Sequence, residues 1–165
     1  MTTLPKPDVR FLLRHPAHFL ALGFGSGLIT PAPGTWGSIA ALPLAAGLHL
    51  AGVQGVMLAW LALPLFVLGV WVCDVTGRAL GVADSGHIVW DEIVAMLLVL
   101  AAVPATPLAW LAALLAFRVF DIVKPWPIRW LDARVHGGFG VMLDDVVAAL
   151  FAVIVLQPVL PYLPA

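Results

Sequence analysis

The chain has 165 residues, of which 62% are hydrophobic and 10% charged, with a formal net charge of −1 and a mean hydropathy of +1.06. Soluble domains carry roughly 25% charged residues, so this composition excludes an ordinary soluble globular domain. The length is that of one domain, 1–165, and the single cysteine, Cys73, excludes an internal disulfide or a multi-cysteine zinc site.

Lys6, Arg10 and Arg14 interrupt the N-terminal stretch before any apolar core forms, so no signal peptide is expected. Residues 15–29 are predicted to form an amphipathic or re-entrant segment at the membrane interface. From Ile39 to Cys73 there are 35 residues without Asp, Glu, Lys or Arg. As one helix they would run about 52 Å against a hydrocarbon core of about 30 Å, so the stretch must turn. Ala51-Gly52-Val53-Gln54-Gly55 is the place for that turn, giving spans near 38–52 and 55–73. Val103-Pro104-Ala105-Thr106-Pro107 breaks the next uncharged stretch, 93–117, into two short spans. Those spans are expected to be completed by Asp91–Glu92 at one end and by 118–124 at the other. Residues 146–165 supply a fifth span with a Pro-rich tail. The expected fold is all-α: a polytopic membrane helical bundle of four to five transmembrane helices with an N-terminal interfacial or re-entrant segment. Threaded this way, all eight Lys and Arg fall on the starting side, which the positive-inside rule makes cytoplasmic. Trp36, Trp126 and Trp130 fall near the same face, where indoles favour the interface.

Seven charged residues lie within or at the ends of the apolar segments: Asp91, Glu92, Arg118, Asp121, Lys124, Asp144 and Asp145. A charge at the centre of a spanning helix costs about 2.5–3.5 kcal/mol on insertion scales, so such groups are functional by default. Five carboxylates against two cations leave negative charge that a divalent metal would neutralise; magnesium takes one or two carboxylates plus water and phosphate oxygens. Asp91–Glu92 are expected to open the third helix and Asp144–Asp145 the fifth, positions that the helix dipole alone also favours. Adjacent helical residues point about 100° apart, so each pair can give one ligand to a shared site and leave the other for a neighbour. Asp121 ends the fourth helix, where the dipole explains nothing, and Arg118 and Lys124 sit three residues to either side on its face.

Gly34, Thr35, Gly37 and Ser38 are read as a phosphate cradle of backbone N–H groups and hydroxyls, with Ser38 capping a helix from Ile39. Gly23 and Gly27 fit close helix packing equally well. Residues 136–140 are expected to form a flexible turn before Asp144, from which His136 could donate a proton to a leaving group. Arg129 and Arg134 read as interfacial anchors. Two near-misses fail. Cys73 to Arg78 is one residue short of a thiolate phosphatase loop, and Asp84-Ser-Gly-His87 lacks the partner motifs of histidine-dependent lipid phosphatases.

The segments GFGSGL (23–28), PGTWGS (33–38), IVWDEIV (88–94), FDIVKPWPIRW (120–130), VHGGFG (135–140) and MLDDVVA (142–148) resemble, in this order, the phosphatidylglycerophosphatase A family. The resemblance implies a magnesium-dependent enzyme of the bacterial cytoplasmic (inner) membrane, its active site facing the cytoplasm. Such an enzyme removes the terminal phosphate of phosphatidylglycerophosphate to give phosphatidylglycerol. In that reading Asp91, Glu92, Asp121, Asp144 and Asp145 hold one or two magnesium ions, with Asp91, Glu92, Asp121 and Asp145 catalytic. Arg118, Lys124, His136 and the PGTWGS segment bind the phosphate. Attack by water is expected, and an aspartyl-phosphate route stays open. The expected partner is a membrane lipid and no nucleic acid, with the oligomeric state undetermined. The alternative class is an ion or proton transporter, which would place charges near the midplane and show internal repeats. A head-group phosphotransferase would need spaced aspartates, of which Asp132-Ala-Arg134 is only an echo.

Overall fold

The computed structural model describes residues 6–162; Met1–Pro5 and 163–165, with the end of the Pro-rich tail, lie outside the described residues. All regular structure among the described residues is helical. The N-terminal segment folds as α1 (Val9–Arg14), α2 (Pro16–Ala21) and a 3-10 turn (Gly23–Leu28). Asp8 caps α1 by accepting from the Phe11 N–H at 2.8 Å. Ala17, Ala21 and Leu22 are fully buried, and α2 lies along α4 (Val56–Leu80), so this segment is bound to the bundle. Gly23, at φ +55°, backs onto Val89 and Ile93, so it serves close packing.

Five longer elements follow: α3 (Pro33–Leu50), α4, α5 (Trp90–Ala101), α6 (Pro107–Val123) and α8 (Gly137–Leu156), with the short α7 (Ile128–Arg134) between the last two. The predicted turns are where composition placed them: Gly52 and Gly55 adopt positive φ between α3 and α4, and Thr106 caps α6 by accepting from the Ala109 N–H. Both turns line one cavity, and Gln157 donates to the Ala102 carbonyl at 3.2 Å, so the tip of α8 belongs to the same end.

α5 is the axis of the bundle, packed against α3, α4, α6 and α8. Nine of its twelve residues are buried. At 1.5 Å per residue it is about 18 Å long, shorter than a bilayer core. The outer helices turn apolar residues outward: Trp60 and Val67 on α4 are 67% and 69% exposed, and Leu111, Leu115, Val119 and Ile122 continue the pattern on α6. Water-facing surfaces rarely carry such continuous apolar stripes. Among the described residues α4 and α8 are long and apolar enough to cross a membrane.

Three boundaries differ from expectation, each for a packing reason. α3 begins at Pro33, set by its fixed φ after left-handed Ala32, so Ser38 is not a cap. Its hydroxyl is buried and donates to the Gly34 carbonyl at 3.0 Å. α4 continues past residue 73 to Leu80 and stops at Gly81, which takes the left-handed cap conformation. α8 begins at Gly137, with His136 as its N-cap, so residues 137–140 are helix rather than a flexible turn. A Cβ on Gly138 would strike the Val70 carbonyl of α4; the glycine permits close helix approach. Asp144 and Asp145 consequently sit about two turns inside α8 and do not open it.

Candidate active site

The first turn of α5 carries Asp91 and Glu92, and α8 brings Asp145 against them; one carboxylate oxygen from each lies within 4.8 Å of the others. Asp91 and Asp145 are buried and Glu92 nearly so. Asp91 Oδ1, Glu92 Oε2 and Asp145 Oδ2 have no hydrogen-bond partner. A buried polar atom left unpaired costs about 1–3 kcal/mol and a charged one more, a cost that a shared cation would relieve. The donors suit a hard divalent ion: at Mg–O distances of about 2.0–2.1 Å, opposite ligand oxygens stand about 4.2 Å apart, within small side-chain rotations of the spread seen here. This cluster could hold a metal ion.

The other two carboxylates are paired with the protein's own cations. Asp121 Oδ2 lies 2.5 Å from Arg118 Nη1, which is also 3.7 Å from Glu92 Oε1. Asp144 Oδ2 lies 2.5 Å from Lys124 Nζ, whose second partner is Asp132 at 3.0 Å. The expected grouping of Lys124 with Asp121 and Arg118 therefore does not form. The helix has ended at Val123 and Lys124 is its left-handed C-cap, so helical spacing no longer governs its direction. Burial pulls the Lys124 ammonium toward neutrality, but Asp144 and Asp132 outweigh it and hold its pKa above the ordinary lysine range. Lys124 stays charged and ties α6, α7 and α8 together. Replacing Lys124 with Met is expected to lower stability more than replacing Asp132 with Asn, because only the first leaves buried Asp144 uncompensated; thermal unfolding measures both.

Gly34, in the first turn of α3, faces this site directly: a Cβ there would meet the carboxylate of Glu92 and Arg118 Nη1. Arg118 Nη1 is taken up by the ion pair with Asp121, but Nε is buried without a hydrogen-bond acceptor, so a guanidinium with an unused donor stands beside the three acids. Thr35 is half-buried, whereas Gly37 packs on Val89 and Ser38 bonds inward, so of the PGTWGS group only Gly34 is shown against the acids and Arg118. His136 is exposed and, with Asp84 and Asp132, lines a small cavity of about 40 Å³. His87 Nδ1 is bonded to the Gly27 carbonyl at 2.7 Å, a structural use. Asp132 is the residue that sequence reasoning passed over. Eight residues from Lys124 across a Pro-rich turn, it carries no periodic signal.

The phosphatidylglycerophosphatase A family model matches residues 19–160, which include the acidic cluster, Gly34 and Arg118. The Haemophilus influenzae protein named phosphatidylglycerophosphatase A is 50% identical over 151 residues, covering 90% of this chain and 91% of its own. The Escherichia coli protein of the same name is 43% identical over 162 residues, covering 92% and 90%. No solved structure matches significantly. With the match running from α2 through the C-terminal end of α8, the chain is an enzyme that belongs to the phosphatidylglycerophosphatase A family.

Proposed function

We propose that the protein hydrolyses the terminal phosphomonoester of phosphatidylglycerophosphate, releasing phosphatidylglycerol and phosphate, at the cytoplasmic face of a bacterial inner membrane. The observation that carries this reading is the cluster of three unpartnered carboxylates beside a buried arginine with an unused donor. Asp91, Glu92 and Asp145 would hold magnesium. Bound there, the ion supplies Lewis-acid stabilisation of the phosphoryl group and lowers the pKa of water.

The chain's own residues do the rest. Asp121 fixes the Arg118 guanidinium so that its free N–H groups meet the equatorial phosphoryl oxygens. Gly34, lacking a Cβ, lets the Glu92 carboxylate and that guanidinium pack against the first turn of α3. Asp144 and Asp132 hold Lys124, and this junction sets the rotation of α8 that turns Asp145 toward α5. As water adds to phosphorus, the bond to the glycerol oxygen breaks and that oxygen takes a proton. His136, exposed at the start of α8, is the side chain to which we assign that proton.

In the bilayer α3, α4, α6 and α8 cross, and the short α5 is shielded among them, giving four to five spans. All Lys and Arg, and the acidic cluster, then share the cytoplasmic side. The outward apolar stripes keep the acyl chains of the substrate in lipid, so no deep soluble pocket is required.

Phosphate release from phosphatidylglycerophosphate in detergent micelles tests the proposal. Release is expected with magnesium, lost in excess EDTA and restored by added magnesium. Release that persists in EDTA would remove the metal from the reading; no release under either condition would remove the substrate.

A further inference from the structure

His15 ends α1 and caps α2, and between that corner and α4 lies a groove of about 380 Å³ lined by Phe11, Arg14, His15, His18, Val75 and Ala79. Arg14 is a permanent cation that can only donate. His15 Nδ1 accepts from the Ala17 N–H at 3.1 Å, so the ring hydrogen sits on Nε2, a second donor. His18 is buried, its ring stacked on Phe11 with centroids 4.1 Å apart and its Nδ1 donating to the Phe11 carbonyl at 3.0 Å, so it belongs to the floor of the groove. The lining has no Asp or Glu. Asp74 of α4 is paired with Arg78 and turned toward α8, where a Cβ on Gly138 would press on it. A molecule in the groove therefore meets a positive charge that no carboxylate of the lining neutralises.

The α4 wall of the groove ties that charge to lipid. Val75 and Ala79 continue, four residues apart, the row of Val67 and Trp71 that α4 turns outward, and the rings of Trp71 and His15 are 6.4 Å apart. An exposed apolar row thus runs into a pocket whose charged group is a cation. A guanidinium with an N–H donor beside it suits phosphate oxygens, and without a carboxylate the lining has no counter-charge for the ammonium of a zwitterionic head group. We propose that this groove binds an anionic phosphodiester lipid, its phosphate held by Arg14 and His15 and an acyl chain lying along the outward row of α4. The lining shares no residue with the acidic cluster or its paired cations, so the site is separate from the reacting one. It rests on the membrane-embedded reading of the chain and not on which phosphomonoester is hydrolysed.

The test is native mass spectrometry of the full-length protein, delipidated in detergent with EDTA and titrated with 1-palmitoyl-2-oleoyl phosphatidylmethanol, whose head group carries a phosphate and neither ammonium nor hydroxyl. One lipid is expected to bind, phosphatidylcholine of the same chains should need about tenfold more for half-occupancy, and inorganic phosphate should not displace the lipid. Arg14→Gln should raise the phosphatidylmethanol needed about tenfold, the effect of losing one charge-assisted hydrogen bond, and so erase the preference over phosphatidylcholine. Arg10→Gln removes the same charge one turn earlier on α1, outside the groove, and should bind lipid like the parent. Both arginines are exposed, so both variants should melt like the parent. Equal binding by parent and Arg14→Gln would overturn the proposal, as would equal affinity for phosphatidylcholine or displacement by inorganic phosphate. An equal loss in Arg10→Gln would overturn it too, by making the attraction a general effect of charge. Recovery of the protein without detergent would overturn the membrane reading as well; any of the other results with a membrane-integrated protein overturns this inference alone.

Discussion

Asp91→Asn is expected to reduce phosphate release about a thousandfold while making the metal-free protein more stable. The two effects have one cause. Asp91, Glu92 and Asp145 crowd three carboxylates into a buried space, each with an oxygen that no protein group satisfies. Without a cation that arrangement opposes folding, through both desolvation and mutual repulsion. Asn has the shape of Asp and no charge, so it relieves the repulsion with little change in packing. Each kcal/mol relieved corresponds to roughly 2–4 °C in melting temperature for a chain of this size. The same change removes a proposed ligand, so the stabilisation expected of the parent in magnesium, which would grow as RT ln(1 + [Mg]/Kd), should largely vanish. Thermal unfolding in EDTA and in magnesium, beside phosphate release, reads both arms. A variant that melts like the parent in EDTA and still gains stability from magnesium would sink the ligand assignment.

The helices were legible because apolar runs and their breakers are local signals. The turns at 51–55 and 103–107, and the placing of Asp91–Glu92 at the start of α5, follow from residue types alone. What misled were the glycines. Residues 34–38 and 137–140 read as loops, since glycine weakens a helix by up to about 1 kcal/mol relative to alanine. In an apolar bundle the same residue lets helices approach, as Gly138 does against α4 and Gly37 against Val89, and the helix continues through it. That gain belongs to the neighbouring element and is invisible in the segment itself. The acids show a related limit. The angular separation of Asp144 and Asp145 is readable from helix geometry, and the structure uses it: Asp145 joins the cluster and Asp144 takes Lys124. Which of the two faces inward depends on the rotation of α8 against α5, which the segment itself does not encode.

Gly34→Ala is expected to lower kcat/KM about a hundredfold and leave the fold intact, because its effect falls on two side-chain ends and no backbone. A Cβ at Gly34 would press on the Glu92 carboxylate and stand 3.2 Å from Arg118 Nη1, so both groups must move to admit one methyl. Glu92 belongs to the acidic cluster, and Arg118 stands beside it with an unpartnered Nε. Elsewhere in α3 the same change has other outcomes. Gly47→Ala adds a Cβ that meets nothing within 4 Å and should be neutral or slightly stabilising, as helix propensity alone predicts. Gly37→Ala would push into Val89, whose carbonyl oxygen is 3.1 Å away, and should lower stability along with activity. Comparing kcat/KM with melting temperature across the three separates a glycine that positions Glu92 and Arg118 from a helix that merely needs small residues. If Gly34→Ala turns over like the parent, the close packing of Glu92 and Arg118 on α3 does not bear on turnover. If it loses activity only in step with stability, as Gly37→Ala should, the glycine serves packing alone.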